Sequence, residues 1–218
     1  MAPEIESLRP ALEAVASQLA LEVSSRQTDA LLGYLALLQR WNATYNLTSV
    51  REPAQMLTQH LADCLAVIGP LRRQSGLGPL RLLDVGSGGG LPGVVIAVLN
   101  PAIDVTCVDT VGKKAAFIQQ AAGELGLRNL HAQHTRVEQM KAAPFDVVTS
   151  RAFASLADFT RRTHQHLMAD GVWMAMKGKQ PADEVAGLPA DVEVFHVEQL
   201  AVPGLEGERC LVWMRPKR

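Results

Sequence analysis

The residues with the clearest chemical potential form a glycine-rich run near the middle of the chain. The run is Asp84-Val85-Gly86-Ser87-Gly88-Gly89-Gly90-Leu91-Pro92-Gly93, and it directly follows an apolar segment that predicts a β-strand. Glycine permits a positive φ and lets a ligand approach the backbone closely. The amides at the start of a following helix can hold an anionic group. The run therefore predicts a nucleotide-binding loop.

Two classes of nucleotide fit this loop. Gly88, Gly90 and Gly93 satisfy the G-x-G-x-x-G spacing of dinucleotide-binding folds, and Asp109 follows about 20 residues later to accept hydrogen bonds from a ribose. An NAD-dependent oxidoreductase is therefore one interpretation. Asp84, two residues before the first glycine, is typical of methyltransferases instead. A carboxylate is unfavourable beside a pyrophosphate but favourable beside an ammonium and a sulfonium, so Asp84 favours S-adenosylmethionine.

The elements around the loop predict an α/β fold. Strands are predicted at Leu80–Val85, Ile103–Val108, Leu130–Gln133, Phe145–Ser150, Val172–Lys177, Val192–Val197 and Cys210–Met214, and helices at Leu91–Leu99, Lys113–Leu125 and Leu156–Met168. This alternation indicates a Rossmann-like, mostly parallel sheet with helices on both faces. The last two strands are joined through Pro203-Gly204 and Glu206-Gly207 without a long helix, which predicts an antiparallel hairpin at the sheet edge.

The N-terminal part of the chain predicts a separate helical cap. Apolar residues recur at helical spacing over Leu8–Val23 and Asp29–Trp41, and a third helix is predicted to begin at Pro53. Gly69-Pro70 and the segment 75–79 interrupt this pattern. We therefore expect residues 1–75 to form a helical extension and residues 76–218 to form the Rossmann-like domain.

Composition limits the functional classes. Of 218 residues, 48% are hydrophobic and the formal net charge is −1, so a nucleic-acid contact requires a local basic patch. Neither a signal peptide nor a membrane-spanning run is predicted, which indicates the cytoplasm. Cys64, Cys107 and Cys210 lie in apolar stretches and are expected to be reduced core residues. No histidine or cysteine has metal-ligand spacing, so no metal is predicted.

Several segments together resemble one bacterial family. They are Trp41-Asn42-Ala43-Thr44-Tyr45-Asn46-Leu47-Thr48-Ser49-Val50-Arg51, the loop Asp84–Gly93, Ser150-Arg151-Ala152-Phe153-Ala154-Ser155, Met176-Lys177-Gly178 and Pro203–Arg209. The chain resembles the RsmG family, formerly the glucose-inhibited division protein B family, of small-subunit ribosomal RNA guanine-N7 methyltransferases. The resemblance runs from about Leu31 to Val212. It implies a Rossmann-like domain with an N-terminal helical extension, and methylation of one guanine in the decoding region.

The resemblance also implies contacts to the cofactor, S-adenosylmethionine. By matching position, Gly86, Leu91, Val137, Glu138 and Arg151 would contact it, together with Asp84, Gly88, Gly90 and Asp109 from the loop analysis. The turn after the third strand, which carries Val137 and Glu138, would lie beside the adenine. The expected partner is small-subunit ribosomal RNA or the 30S particle, with no membrane and no obligate protein partner. A non-catalytic RNA-binding assembly factor with the same fold is a further alternative.

The chemistry of guanine N7 agrees with the residues after the fourth strand. N7 has a free lone pair and no proton, so the reaction needs positioning and electrostatics rather than a general base. Thr149-Ser150-Arg151 lacks the Asp/Asn-Pro-Pro-aromatic segment that serves exocyclic amines. Candidate positioning residues around the acceptor are Arg151, Lys177 and Asn46. Candidate RNA contacts are Arg51, Lys113, Lys114, Arg136, Phe153, Lys179 and Arg209.

Overall fold

The N-terminal region of the computed structural model is helical. The structure describes residues 3–151, 153, 155–179 and 181–217. The first helices are α1 (Pro3–Glu6), α2 (Arg9–Gln18), α3 (Ser25–Tyr45), α4 (Pro53–Met56), a π-helical turn (Leu57–Ala62), α5 (Asp63–Leu65) and α6 (Ile68–Ser75). Ser24 begins α3 with a reciprocal capping box to Gln27, and Asn46 ends it in the left-handed conformation.

The predicted start of a helix at Pro53 is confirmed. The break predicted at Gly69-Pro70 lies instead between Leu65, where α5 ends, and Ile68, where α6 begins. Pro70 lies in the first turn of α6, where the proline nitrogen has no intrahelical carbonyl to bond and its fixed φ suits a helix. The helical region therefore continues to Ser75. The chain turns at Gly76, whose φ is +74°.

Within the described residues, seven strands form one sheet. They are β1 (Leu80–Val85), β2 (Ile103–Asp109), β3 (Leu130–His134), β4 (Phe145–Ser150), β5 (Leu167–Lys177), β6 (Val192–Gln199) and β7 (Cys210–Pro216), in the order β3-β2-β1-β4-β5-β7-β6. β1 to β5 are parallel, and β7 pairs antiparallel with both β5 and β6. The predicted mostly parallel sheet with an antiparallel edge is confirmed.

The remaining helices cover both faces of the sheet. They are α7 (Gly93–Leu99), α8 (Gly112–Glu124), α9 (Leu156–Thr163) and α10 (Ala182–Ala186). Adjacent residues of β1 point to opposite faces: Leu82 belongs to the apolar cluster that includes α3 and α7, and Leu83 to the cluster that includes α9. The N-terminal helices and the sheet thus share one core, and a domain boundary at residue 75 stays a prediction. All three cysteines are buried, as expected.

Candidate active site

The glycine loop lies where β1 ends and α7 begins. Gly86, Gly88 and Gly90 all have positive φ, at +67°, +58° and +88°. A Cβ on Gly90 would lie 2.6 Å from Cγ2 of Val94, so this position also lacks space for a side chain. Around Gly88, by contrast, a Cβ would meet nothing within 4 Å. The loop therefore exposes its backbone to a ligand at Gly88 and packs tightly at Gly90.

Asp84 lies beneath this loop rather than on its surface. Its side chain is fully buried, and Oδ2 accepts a 2.9 Å hydrogen bond from the Gly93 amide at the start of α7. Burial raises the pKa of Asp84 to about 7, against the lowering effect of the Gly93 amide. Its Oδ1 has no hydrogen-bond partner among the described residues. The observed contact closes the loop, and a direct contact with the cofactor stays a prediction.

Asp109, at the end of β2, holds the loop from the other side. Oδ2 accepts a 2.9 Å hydrogen bond from the Gly88 amide, and Oδ1 accepts one of 2.9 Å from the Val111 amide. Lys114 places its Nζ 3.8 Å from Oδ2. The carboxylate thus ties the glycine loop to the start of α8. Each oxygen keeps a second lone pair, so these contacts are compatible with the predicted ribose contact.

A cavity of about 210 Å³ opens beside the loop. It is lined by Tyr34, Leu38, Leu47, Thr48, His60, Gly86, Ser87, Gly88, Gly89, Leu91, Lys114 and Arg151. The hydroxyl of Ser87 is buried here without a partner among the described residues. An unpaired buried hydroxyl, open backbone at Gly88 and an apolar wall at Leu91 suit part of a ligand that has both polar and apolar groups, such as S-adenosylmethionine. The whole cofactor would extend beyond this cavity, since ligand pockets are usually about 300 Å³ or larger.

A larger cleft of about 600 Å³ adjoins this cavity. Its lining residues are Thr48, Ser49, Val50, Gln59, His60, Asp63, Arg151, Met176, Lys177, Gly178, Leu200, Leu205, Arg209 and Cys210. Thr48, His60 and Arg151 line both spaces. The cleft lies between the N-terminal helical region and the carboxyl edge of the sheet, where ligands of open α/β sheets bind. A cofactor in one space would thus face an acceptor in the other.

Arg151 and Arg209 meet at a buried acid. Asp63 is 4% exposed, and its Oδ2 lies 3.2 Å from Nη1 of Arg151 while its Oδ1 lies 3.2 Å from Nε of Arg209. Arg151 also donates to the carbonyl of Gln59. Asp63 begins α5, Arg151 directly follows β4, and Arg209 directly precedes β7. Asp63 was not among the residues that sequence reasoning selected, because it has no motif of its own.

His60 was also missed. Its Nε2 lies 2.9 Å from the hydroxyl oxygen of Thr48, and its Nδ1 is buried without a partner among the described residues. Burial, followed by the positive charge of Arg151, lowers the pKa of His60 below its ordinary value. The imidazole is therefore neutral at pH 7. Nothing in the sequence around His60 indicated that it belongs to the site. Its position three residues before Asp63 becomes informative only once the fold is known.

Lys177, predicted to position the acceptor, lines the large cleft but is already paired. Its Nζ lies 2.8 and 3.1 Å from the two carboxylate oxygens of Glu184 and donates to the carbonyl of Phe153. Glu184 also accepts from the Leu156 amide at the start of α9. Phe153 itself is half-buried and packs on Phe159, with ring centroids 5.2 Å apart. Ala152 and Ala154 of the same motif lie outside the described residues.

The other predicted site residues fall into three groups. Gly86, Gly88, Leu91 and Lys114 line the smaller cavity, and Arg209 lines the cleft. Val137 and Glu138 lie in the turn after β3 and line neither space; the Val137 side chain is buried, and Glu138 pairs with Arg162. Exposed residues that line neither space are Asn46, Arg51, Lys113, Arg136 and Lys179. Asn46 caps α3 and accepts a weak hydrogen bond from Arg51, and Lys113 donates to the Tyr45 carbonyl.

Residues 3–151, 153, 155–179 and 181–217 contain no helix that is both long and apolar enough to cross a membrane. The same residues contain no cluster of three or more histidine, cysteine, aspartate or glutamate side chains that could hold a metal ion.

The strand order and directions give the fold of the S-adenosylmethionine-dependent methyltransferase class, and the two-part site is compatible with that class. The fold is similar to that of Burkholderia thailandensis 1,6-didemethyltoxoflavin-N1-methyltransferase, solved with S-adenosylhomocysteine, at a TM-score of 0.59 and 16% identity over 85% of this chain and 90% of that one.

Sequence comparison then places the chain more narrowly. Residues 27–212 match the family model described as GidB, rRNA small subunit methyltransferase G. The chain is 62% identical to ribosomal RNA small subunit methyltransferase G of Acidovorax ebreus and 61% identical to that of Leptothrix cholodnii, each time over 96% of both chains. The chain belongs to the rRNA small subunit methyltransferase G family. This membership decides against the oxidoreductase interpretation of the glycine spacing.

Proposed function

We propose that this protein transfers the methyl group of S-adenosylmethionine to N7 of a guanine in the decoding region of small-subunit ribosomal RNA. The observation that carries the proposal is the meeting of two spaces at Arg151, Thr48 and His60. One space opens on the glycine loop, and the other is large and rimmed by cations. A donor and an acceptor bound in them would meet at these three residues.

The cofactor would be held by the loop residues Gly86 and Gly88 and by Leu91, with Asp109 and the turn at Val137-Glu138 near its ribose and adenine. When bound, it supplies an electrophilic methyl group on a sulfonium. The chain's own contribution is a loop held in place before binding. Asp84 fixes the Gly93 amide and Asp109 fixes the Gly88 amide, each at 2.9 Å. A loop that is already ordered loses less conformational entropy when it binds its ligand.

The residues near the acceptor side suit a base that has no proton to lose. Arg151 can donate to a guanine acceptor atom or to a phosphate. His60 is neutral, and Lys177 is committed to Glu184. Methylation at N7 turns a neutral purine into a cation, so the reaction requires alignment of the lone pair with the methyl group rather than removal of a proton. Arg151 is therefore proposed to position the acceptor. Lys177 and Asn46 stay proposed for the same role from the sequence alone, because Lys177 is paired with Glu184 and Asn46 lines neither space.

Contact with the RNA beyond the acceptor would come from cations around the cleft, because the protein as a whole has a net charge of only −1. Of the proposed contacts, Arg209 lines the cleft and Lys114 lines the smaller cavity. The further proposed contacts, which line neither space, are Arg51, Lys113, Arg136, Lys179 and Phe153. Ribosomal RNA in the 30S particle is a cytoplasmic substrate, and we propose that the protein acts there without an obligate protein partner.

Labelled methyl transfer tests the function directly. Purified protein is supplied with S-adenosylmethionine carrying a labelled methyl group and, in separate arms, with small ribosomal subunits, naked small-subunit RNA and tRNA. The product is reduced and cleaved at 7-methylguanosine. We expect label and strand scission in small-subunit RNA at one position in the decoding region. Label only in tRNA, or in a base that resists this cleavage, would refute the proposal.

A loop variant distinguishes an enzyme from a protein that only binds RNA. Gly86→Asp places a charged side chain at a positive φ in the loop and is expected to abolish transfer. If small subunits mature and bind equally well with this variant and with the unaltered protein, and neither transfers label, the protein is an assembly factor and the enzymatic proposal is wrong.

A further inference from the structure

We propose that Asp63 is a positioning residue that clamps Arg151 and Arg209 into a single fork for one phosphodiester of the RNA substrate. This inference rests on the proposed function, since the phosphodiester belongs to the RNA that carries the acceptor guanine. It gives a role to Asp63, which lies outside every motif found in the sequence. It also gives Arg151 and Arg209 the same ligand, one phosphodiester.

The contacts are arranged as a clamp. Each oxygen of the Asp63 carboxylate is taken by a different arginine, both at 3.2 Å, and Asp63 is only 4% exposed. The arginine side chains are 30% and 32% exposed, so each guanidinium has one side on the buried acid and another toward the cleft. Nη2 of each has no partner among the described residues. These donors are available to an anion.

The sheet brings the arginines together from distant parts of the chain. Arg151 directly follows β4, at the carboxyl edge of the parallel strands. β7 runs in the opposite direction, and its pairing of Cys210 with Lys177 of β5 places its first residues at that same edge. Arg209 precedes Cys210 and therefore reaches the cleft. Asp63 then enters from the helical region at the end of the π-helical turn.

The net charge of the cluster formed by Asp63, Arg151 and Arg209 favours the binding of an anion there. Lys177 is matched by its own acid, Glu184, at 2.8 Å. The two arginines share one carboxylate, so the cluster retains one net positive charge where it faces the cleft. Guanidinium groups suit phosphate oxygens because their planar donors match two oxygens at once. A singly charged phosphodiester would neutralise the cluster.

The anion could come from the RNA or from the carboxylate of the cofactor. Arg151 lines both spaces, so it could reach either one. Arg209 lines only the large cleft. A fork built from both arginines therefore opens on the acceptor side, which favours the RNA. Arg209 is the residue that distinguishes the two sources.

The test measures KM for small subunits, kcat and the affinity for S-adenosylhomocysteine in the full-length protein, at several salt concentrations. Arg209→Gln is expected to raise KM for small subunits about tenfold, the loss of about 1.4 kcal/mol. It should leave S-adenosylhomocysteine affinity unchanged and lower the slope of log affinity against log salt by about one. Arg215→Gln is the matched control: it removes a cation at the other end of β7, where Arg215 pairs with Glu193.

Asp63→Asn distinguishes a positioning role from a purely electrostatic one. It removes a negative charge and so makes the net charge of the cleft more positive. If the acid only dampened charge, this variant would bind RNA more tightly. A clamp predicts the opposite: about a tenfold higher KM despite the extra charge. A KM that falls or stays the same overturns the positioning role. An unchanged KM in Arg209→Gln overturns the fork, and a loss of S-adenosylhomocysteine affinity in that variant assigns the anion to the cofactor instead.

Separate controls show whether each variant is folded and whether the unaltered protein has the proposed activity. A cooperative urea-unfolding transition measured without ligand shows whether each variant is folded. If Asp63→Asn is not folded, Arg209→Lys decides, because it keeps the charge but loses the planar donors. Full activity in Arg209→Lys then overturns the fork, and a raised KM supports it. Absence of transfer by the unaltered protein refutes the proposed function, whereas normal transfer by it and by every variant refutes only this inference.

Discussion

The hydroxyl of Tyr34 donates a 2.7 Å hydrogen bond to the carbonyl oxygen of Gly89. Tyr34 is fully buried in α3, and Gly89 lies in the middle of the glycine loop. A residue of the N-terminal helical region thus holds the loop that faces the cofactor cavity. The helical region therefore lines the proposed cofactor cavity as well as covering the sheet.

Removal of this hydroxyl should weaken cofactor binding. In Tyr34→Phe the partly buried Gly89 carbonyl loses its partner. This loss costs about 1 kcal/mol, or roughly a fivefold rise in Kd for S-adenosylhomocysteine, because the loop must be ordered in order to bind. Calorimetric titration measures this change. Tyr45→Phe, at an exposed tyrosine of the same helix, is the control. Equal affinity in both variants would show that the Tyr34 contact plays no part in ordering the loop.

Gly93 should resist substitution for reasons of space. A Cβ at this position would lie 2.4 Å from Sγ of Cys107 and 3.0 Å from Oδ2 of Asp84. We expect Gly93→Ala to lower the free energy of unfolding by about 1–3 kcal/mol, as overpacking does. Gly123→Ala is the control, because a Cβ there meets nothing within 4 Å and alanine favours the helix. Urea unfolding should separate the two variants; similar stabilities would contradict the predicted clash.

Asp84 should make stability decline with rising pH. Its pKa is about 7 in the folded protein and about 3.9 when unfolded, so between these values the folded state binds the extra proton. The free energy of unfolding therefore falls as pH rises from about 4 to 7, by an amount of order 4 kcal/mol for this group alone. Asp84→Asn should lose this dependence. The stability of the variant relative to the unaltered protein should increase between pH 5 and pH 8, measured by urea unfolding without ligand. Parallel pH profiles would show that the buried carboxyl stays ionised.

Glu184 should matter for stability more than its position on a short surface helix indicates. Glu184→Gln leaves Lys177, whose side chain is 13% exposed, without a counter-charge, but it keeps an oxygen for the Leu156 amide. We expect a loss of about 1–3 kcal/mol in the free energy of unfolding. Glu184→Ala should cost more, because the start of α9 loses its acceptor as well.

Asp183→Gln, at the neighbouring acid of the same helix, is the control for these two variants. Chemical denaturation of all three proteins gives the comparison. If Glu184→Gln is no less stable than Asp183→Gln, the ion pair with Lys177 contributes nothing to stability.

Most of the sheet could be predicted from local pattern. The predicted ranges of β1 and β4 agree with the structure at both ends, because each is a short apolar run bounded by residues that favour turns. The other strands are longer than predicted, since pairing with a neighbour extends a strand beyond its apolar residues. Gly69-Pro70 misled the prediction, because proline is disfavoured inside a helix but accepted in its first turn.

The sequence by itself determined the fold class, the position of the glycine loop and the family, because each depends on residue types at fixed spacing along the chain. Only the tertiary structure showed that Asp84 lies beneath the loop, that Lys177 is already paired, and that Asp63 and His60 belong to the site. Asp63 is 88 residues from one arginine partner and 146 from the other. A contact over such a separation depends on strand order and direction, here the antiparallel insertion of β7 beside β5, which the sequence around any one of these residues does not encode.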